Sequence, residues 1–330
     1  MAGRAGRVLV AGGVVLAAAS CTTPVVAGSA HGVVAYVATL AGRADPGNEL
    51  AVVDTSTARA LAPVTTGSLP SAMAATPDGH DLLVTNQGAN QLVEVSTSTG
   101  KVVHRTTVGL EPDAVAVSPD GTLALVADFG DATVTPVALP SLTAGRPVAV
   151  GRQPVAVAIA PDGRLALVAN YEDGSVTPLT LPAVTAGAPV PAGAQPISVA
   201  ITPNSAAALV ANFGADQLTP IDLAALRPAP AIALPGNPTD IARWGAATTA
   251  WVSAGDALVP IDLVTLRAGA PVGIGTGAQA LALGNGGRTA WVGTGAGTLV
   301  SVDLASGRVG RPVAVGGQPS AVVIPPVPVG

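Results

Sequence analysis

The chain has 330 residues, 49% of them apolar, with three Trp, two Tyr, two Phe, one cysteine and a net charge of −5. Charged residues make up only 11%, and Lys101 is the one lysine. No cluster of Lys and Arg of the kind that neutralises phosphates exists, so nucleic acid is not an expected partner. After residue 21 no apolar run approaches the roughly 18 residues that span a bilayer.

In chain order, the first element is an export signal. Arg4 and Arg7 precede the apolar run Val8–Ala19, and the small residues Ala18, Ala19 and Ser20 lead into Cys21. The arrangement resembles a bacterial lipoprotein signal, although Ala18 stands where such signals usually carry Leu. The resemblance implies that residues 1–21 are processed, that Cys21 is lipidated, and that 22–30 form a tether. The other reading is an ordinary secretory signal cleaved near Ala27 or Ala30, with Cys21 discarded. Either way the expected location is outside the cytoplasm, at the cell envelope or secreted, with membrane contact only through the lipid anchor. A single cysteine leaves no internal disulfide to hold the fold.

Residues 31–330 are built from one repeated motif. It reads QPVAVAIAPDGRLALVAN at Gln153–Asn170, EPDAVAVSPDGTLALVAD at Glu111–Asp128 and LPSAMAATPDGHDLLVTN at Leu69–Asn86. Pro70, Pro112, Pro154, Pro196 and Pro238 open successive copies 42 residues apart; Ala280 continues that register and Pro319 follows after 39. A period four short strands long is the signature of a radial β-propeller. Within a copy, Val155–Ala160 leads to the Pro161-Asp162-Gly163 turn, then Leu165–Ala169, Ser175–Leu181 and a fourth run such as Pro147–Val150. Runs of this length bounded by Gly, Pro, Asp and Asn are strands, and the abundant glycines and prolines read as turns.

Aligning the second strand gives seven copies. They are Tyr36-Val37-Ala38-Thr39, Leu83-Val84-Thr85-Asn86, Leu125-Val126-Ala127-Asp128, Leu167-Val168-Ala169-Asn170, Leu209-Val210-Ala211-Asn212, Trp251-Val252-Ser253-Ala254 and Trp291-Val292-Gly293-Thr294. These residues resemble the YVTN family of β-propeller repeats, over essentially residues 31–330, with Leu83–Asn86 the nearest match. The resemblance implies an all-β, seven-bladed propeller of four-stranded antiparallel blades. The first copy lacks a first strand, and Gln318–Ile324 is a first strand with no second after it. The C-terminal segment is therefore expected to complete the N-terminal blade and close the ring. Trp251 and Trp291 take the Tyr36 position and are expected in the core. Pro136, Pro178, Pro220 and Pro260 lie inside the third strand, where a proline removes a ladder donor; a bulge is one way to accommodate them.

Catalytic constellations are sparse. His31, His80 and His104 fall at the domain start, in a first turn and on an outer strand, so they do not converge on a metal or a nucleophile. The innermost strands, such as Ala114–Val117, Ala156–Ile159 and Ser198–Ile201, offer Ala, Ser and Val, with Arg243 the clearest charged exception. Related seven-bladed lactonases place acids, bases or metal ligands there, and no acid–base pair assembles from these residues. Gly273–Gly277 and Gly293–Gly297 lack the helix that a phosphate cradle needs. No cofactor and no metal site is expected.

What remains is a rim. The loops joining strands two and three, and those joining one blade to the next, should emerge on one face carrying Glu111, Asp113, Asp128, Asp131, Glu172, Asp173, Asp216, Asp240 and Asp256, with Arg43 and Arg152 as counter-charges. Such a ring can attract a cation or a basic partner; alternatively it is a solvated loop set whose carboxylates bond turn amides. Phe129, Tyr171 and Phe213 repeat at 42-residue spacing beside it, either as an aromatic arc for a sugar, peptide or cation or as packing between blades. The expectation is a binding or scaffold protein of the envelope, engaging an envelope protein or a basic or sugar ligand. A lactonase-like hydrolase or isomerase and a structural surface-layer repeat are the other readings.

Overall fold

A computed structural model describes residues 33–40, 47–243, 245, 247–275 and 277–327. Cys21, the tether, His31 and Arg43 lie outside the described residues. Seven antiparallel sheets follow one another around a ring. Blade 3 is representative: Pro112–Val117 is innermost, then Leu123–Asp128 and Thr133–Ala138, with an outer strand in two pieces, Thr143–Ala144 and Val148–Ala149. Every residue of the inner strand is buried, and so are Ala124–Asp128 of the second. Both faces of each inner sheet are covered by neighbouring blades, so these strands read as continuous apolar runs instead of alternating ones.

The core is a set of wedges between blades. Ala114, Ala116 and Leu125 of blade 3 pack against Val157, Ile159 and Val168 of blade 4 in one cluster. The other face of blade 3 presents Val115, Val117 and Val126 to Ala72, Ala74 and Leu83 of blade 2 in another. Period-two alternation of Ala with Val along one strand thus sends small side chains one way and larger ones the other, so adjacent sheets interdigitate. Trp291 is buried with Ala35, Val37 and Val322, while Trp251 is half-buried at the edge of the preceding cluster.

The ring closes as the terminal strands imply. Gln318–Val323 pairs antiparallel with Val34–Leu40, placing Val37 opposite Val322 and Ala38 opposite Ala321. One register differs from the sequence reading. Pro238 pairs with Ala254 and Ala278 with Thr294, so Ala278, two residues before Ala280, opens blade 7.

The third-strand prolines need no bulge in their own strand. Pro136 keeps its ladder partner Leu125, and it is the outer strand that breaks, pairing with Val137–Ala138 and again with Thr133–Val134. The fourth run is therefore not the single strand Pro147–Val150. Blades 4, 5 and 6 break in the same way beside Pro178, Pro220 and Pro260. Blade 2 has Glu94 at this position, and its outer strand, Lys101–Thr107, runs unbroken.

Candidate functional site

The two loop sets of the rim are joined by backbone bonds. Phe129 donates its amide to Glu111, Tyr171 to Gln153, Phe213 to Gln195 and Gln87 to Leu69, at 2.8–3.1 Å. The four acceptors are held at φ 51–54° just before the proline that opens each inner strand. That left-handed region is costly for residues with a Cβ, and the amide bond to each carbonyl is what fixes it. The loops are a built surface, repeated blade by blade.

Side chains add to this in blades 3 and 4. Asp131 accepts from the Leu110 amide at 2.8 Å. Asp173 accepts from the Arg152 amide and its Nε, both at 2.7 Å, while Glu172 takes Arg152 Nη1 at 2.8 Å. The Arg152 amide and guanidinium hold the Asp173 carboxyl below its usual range. Asp131, Glu172, Asp173, Asp216 and Asp256 are all exposed. Asp216, at φ 46°, and Asp256 hold no fold-building side-chain bond among the described residues.

Three candidates are not on the rim surface. Asp128 ends the second strand of blade 3 fully buried, accepting from Thr135 Oγ1 at 2.6 Å, Thr133 Oγ1 at 3.1 Å and the Gly109 amide at 3.1 Å. Burial pushes it up to about 6 against the pull of those donors. Asn170 and Asn212 fill the same position and donate to Thr177 and Thr219, so the position latches strand two to strand three. Asp113 and Asp240 lie in inner strands, not in loops, because the loop ends one residue before the proline. Burial, reinforced by the Glu111 charge, pushes Asp113 up to about 8; Gln87 Nε2 donates to it at 3.4 Å. Its burial favours the neutral acid and keeps it off the rim surface.

Asp240 joins three blades. It accepts from Ser198 Oγ of blade 5 at 3.1 Å, its neighbour Ile241 N at 2.8 Å and Leu281 N of blade 7 at 2.9 Å. Burial pushes it up to about 7 against these bonds. The inner strands thus carry two buried carboxyls besides Arg243, contrary to the sequence reading. Arg243 is half-buried and donates to the Gly245 carbonyl. Among the described residues no three His, Cys, Asp or Glu are placed to hold a metal ion.

Phe129, Tyr171 and Phe213 are each half-buried, and the last two pack against the apolar cluster of Ile197, Leu209 and Ile241. For those two rings, bridging neighbouring blades is the observed role. A cleft of about 590 Å³ opens at the circumference, where the outer strand of blade 3 breaks between Pro136, Gly145, Arg146 and Pro182. Away from that cleft, on the outer edge of blade 2, sequence reasoning missed one pair: buried Glu94 and His104 Nδ1 at 2.6 Å. The loss of the repeat proline at Glu94 was the available signal.

This geometry defines a seven-bladed β-propeller with a carboxylate-bearing rim. No family model and no curated protein matches the chain. Solved structures do. A functionally unknown protein from Desulfotomaculum acetoxidans DSM 771 is 18% identical with a TM-score of 0.77, covering 88% of this chain and 98% of that one. Kuenenia stuttgartiensis hydrazine synthase is 17% identical with a TM-score of 0.66, covering 76% and 88%. Dihydro-heme d1 dehydrogenase NirN, in complex with DHE, is 16% identical with a TM-score of 0.65, covering 92% and 77%. Identities this low carry the fold alone.

Proposed function

We propose that this chain is an exported, lipid-anchored propeller of the YVTN type that binds a basic partner at the cell envelope through its acidic rim. The observation that carries the binding surface is the run of exposed carboxylates on loops of four successive blades: Asp131, Asp173, Asp216 and Asp256. Backbone and side-chain bonds preorganise the first two loops, which lowers the ordering cost of binding. Asp216 and Asp256 supply uncommitted charge. Export and anchoring rest on the sequence around Cys21.

Asp131 and Asp173 hold turn amides, so reversing them would disturb the loops themselves. The test therefore uses Asp216→Lys with Asp256→Lys. Capture from envelope extract by the mature chain should retain a basic partner that the double variant loses while melting at the same temperature. Equal capture by both proteins removes the rim as the site. For the anchor, labelled fatty acid should enter the full-length protein and not Cys21→Ser; an unlabelled wild type refutes lipidation.

A further inference from the structure

The outer edges of the blades are protected, with one exception. In blades 1, 3, 4, 5 and 6 the outer strand is two separate two-residue pieces, and in blade 7 it is Val313–Ala314 with a lone bridge at Val309. A broken edge cannot zip to another strand, which is a standard defence against edge-to-edge pairing. Blade 2 has lost that defence. Glu94 replaces the proline, its carboxylate holds His104, and Lys101–Thr107 forms a continuous exposed edge.

We propose that this edge is a docking site for an acidic extended segment of another protein, which adds to blade 2 as a fifth strand. Three observations support it. The backbone is available: Val108 donates to Asn90 and Arg105 lies opposite Val93, so by the alternation of amides along a strand those of Arg105 and Thr107 point away from the blade. The bulge at Glu94/Val95, where Val103 has no cross-strand partner, leaves His104–Thr107 as the regular stretch. An apolar contact is available in Val103, which is 47% exposed.

The charge of the edge selects the occupant. Lys101 and Arg105 are exposed on it, Arg105 with Nη1 donating to the Thr66 carbonyl of blade 1 at 3.1 Å, in a protein whose net charge is −5. A second copy pairing on the same edge would bring Lys101 and Arg105 against their own kind, and like charges across strands repel. An acidic strand meets opposite charges, while main-chain bonds supply affinity as in other cases of strand addition.

The test uses the full chain and a fluorescent peptide alternating Glu and Val, read by polarisation. The peptide should bind, and Arg105→Pro should weaken it at least tenfold, because it removes an outward donor and a cation, with the side-chain bond to Thr66, and leaves the blade's own ladder intact. N-methylation of alternate peptide amides should abolish binding in one phase and leave it unchanged in the other. Should Arg105→Pro fail to fold, Lys101→Glu with Arg105→Glu replaces it, with the same tenfold loss expected. Absence of binding, or equal binding by peptides methylated in either phase, overturns strand addition. Self-association of the chain through this edge, abolished by Arg105→Glu, would make the occupant a second copy and overturn the acidic partner.

Discussion

Gly145 and Pro136 face each other across the break in the outer strand of blade 3: the glycine amide donates to the proline carbonyl at 2.7 Å. In a strand the N–H and C=O of one residue point to the same side. The donor that Pro136 lacks would therefore point at the break, where no outer-strand acceptor waits. The same bond joins Gly187 to Pro178, Ala229 to Pro220 and Gly269 to Pro260. Proline is tolerated in a third strand because the fourth has stepped aside.

This pairing ranks two glycines. A Cβ on Gly145 would sit 3.2 Å from the Pro136 Cγ, and Ala229 already occupies that position against Pro220. Gly145→Ala should cost less than about 1 kcal/mol. A Cβ on Gly151 would lie 2.5 Å from the Cγ of fully buried Asn170. Gly151→Ala should cost about 1–3 kcal/mol. Urea unfolding of both variants checks the order, and equal midpoints would contradict it.

Ring closure depends on Ala321, Val322, Val323 and Ile324, each at most 5% exposed. Burying three large aliphatic side chains contributes about 5–9 kcal/mol, which is comparable to the whole stability of a typical domain. Deleting Gln318–Gly330 should abolish cooperative thermal unfolding seen by circular dichroism. A truncated chain that melts with the intact one would mean the N-terminal blade stands without its inner strand.

Asp113 makes stability depend on pH in the direction opposite to the usual carboxylate. Its folded pKa is raised to about 8 from 3.8. Its contribution is complete below the unfolded value and is lost as pH rises through the folded one. Asp113→Asn should therefore match wild type near pH 4 and melt at least about 3 °C higher near pH 9. Melting curves across that range decide it, and a constant difference between the proteins would refute the assignment. Asp120, held low first by the Ser118 hydroxyl and then by Thr122, acts with the ordinary sign and loses its contribution in acid.

Asp240 ties blades 5, 6 and 7 together through Ser198 Oγ and the Leu281 amide. Asp240→Ala leaves the amides of Ile241 and Leu281 without their acceptor and should cost about 2–4 kcal/mol. Asp240→Asn keeps one acceptor oxygen and should cost less. Denaturant midpoints of the pair test this, and an alanine variant as stable as the asparagine one would show that the carboxylate bonds contribute nothing.

Much of this protein is legible in one dimension. Evenly spaced prolines, Val/Ala-rich runs and turn triplets identify seven blades, because each blade repeats the same local chemistry. The split first blade follows equally, since Gln318–Ile324 has no second strand of its own and Tyr36–Thr39 no first.

The site was legible only in part. Asp113 and Asp240 are one and two residues past the proline that opens their strand, and nothing in the string separates a rim carboxylate from one turned into the ring. That depends on where the strand begins and which neighbouring blade receives the side chain. Glu94 was signalled only by the missing proline, since its partner His104 comes from the next strand, and the two-residue slip that puts Ala278 where Ala280 was expected shows only in the strand pairing. Local repetition determined the architecture of this chain; burial, and hence the charge state and availability of its carboxylates, was decided by contacts between blades, because desolvation depends on neighbours far apart in sequence.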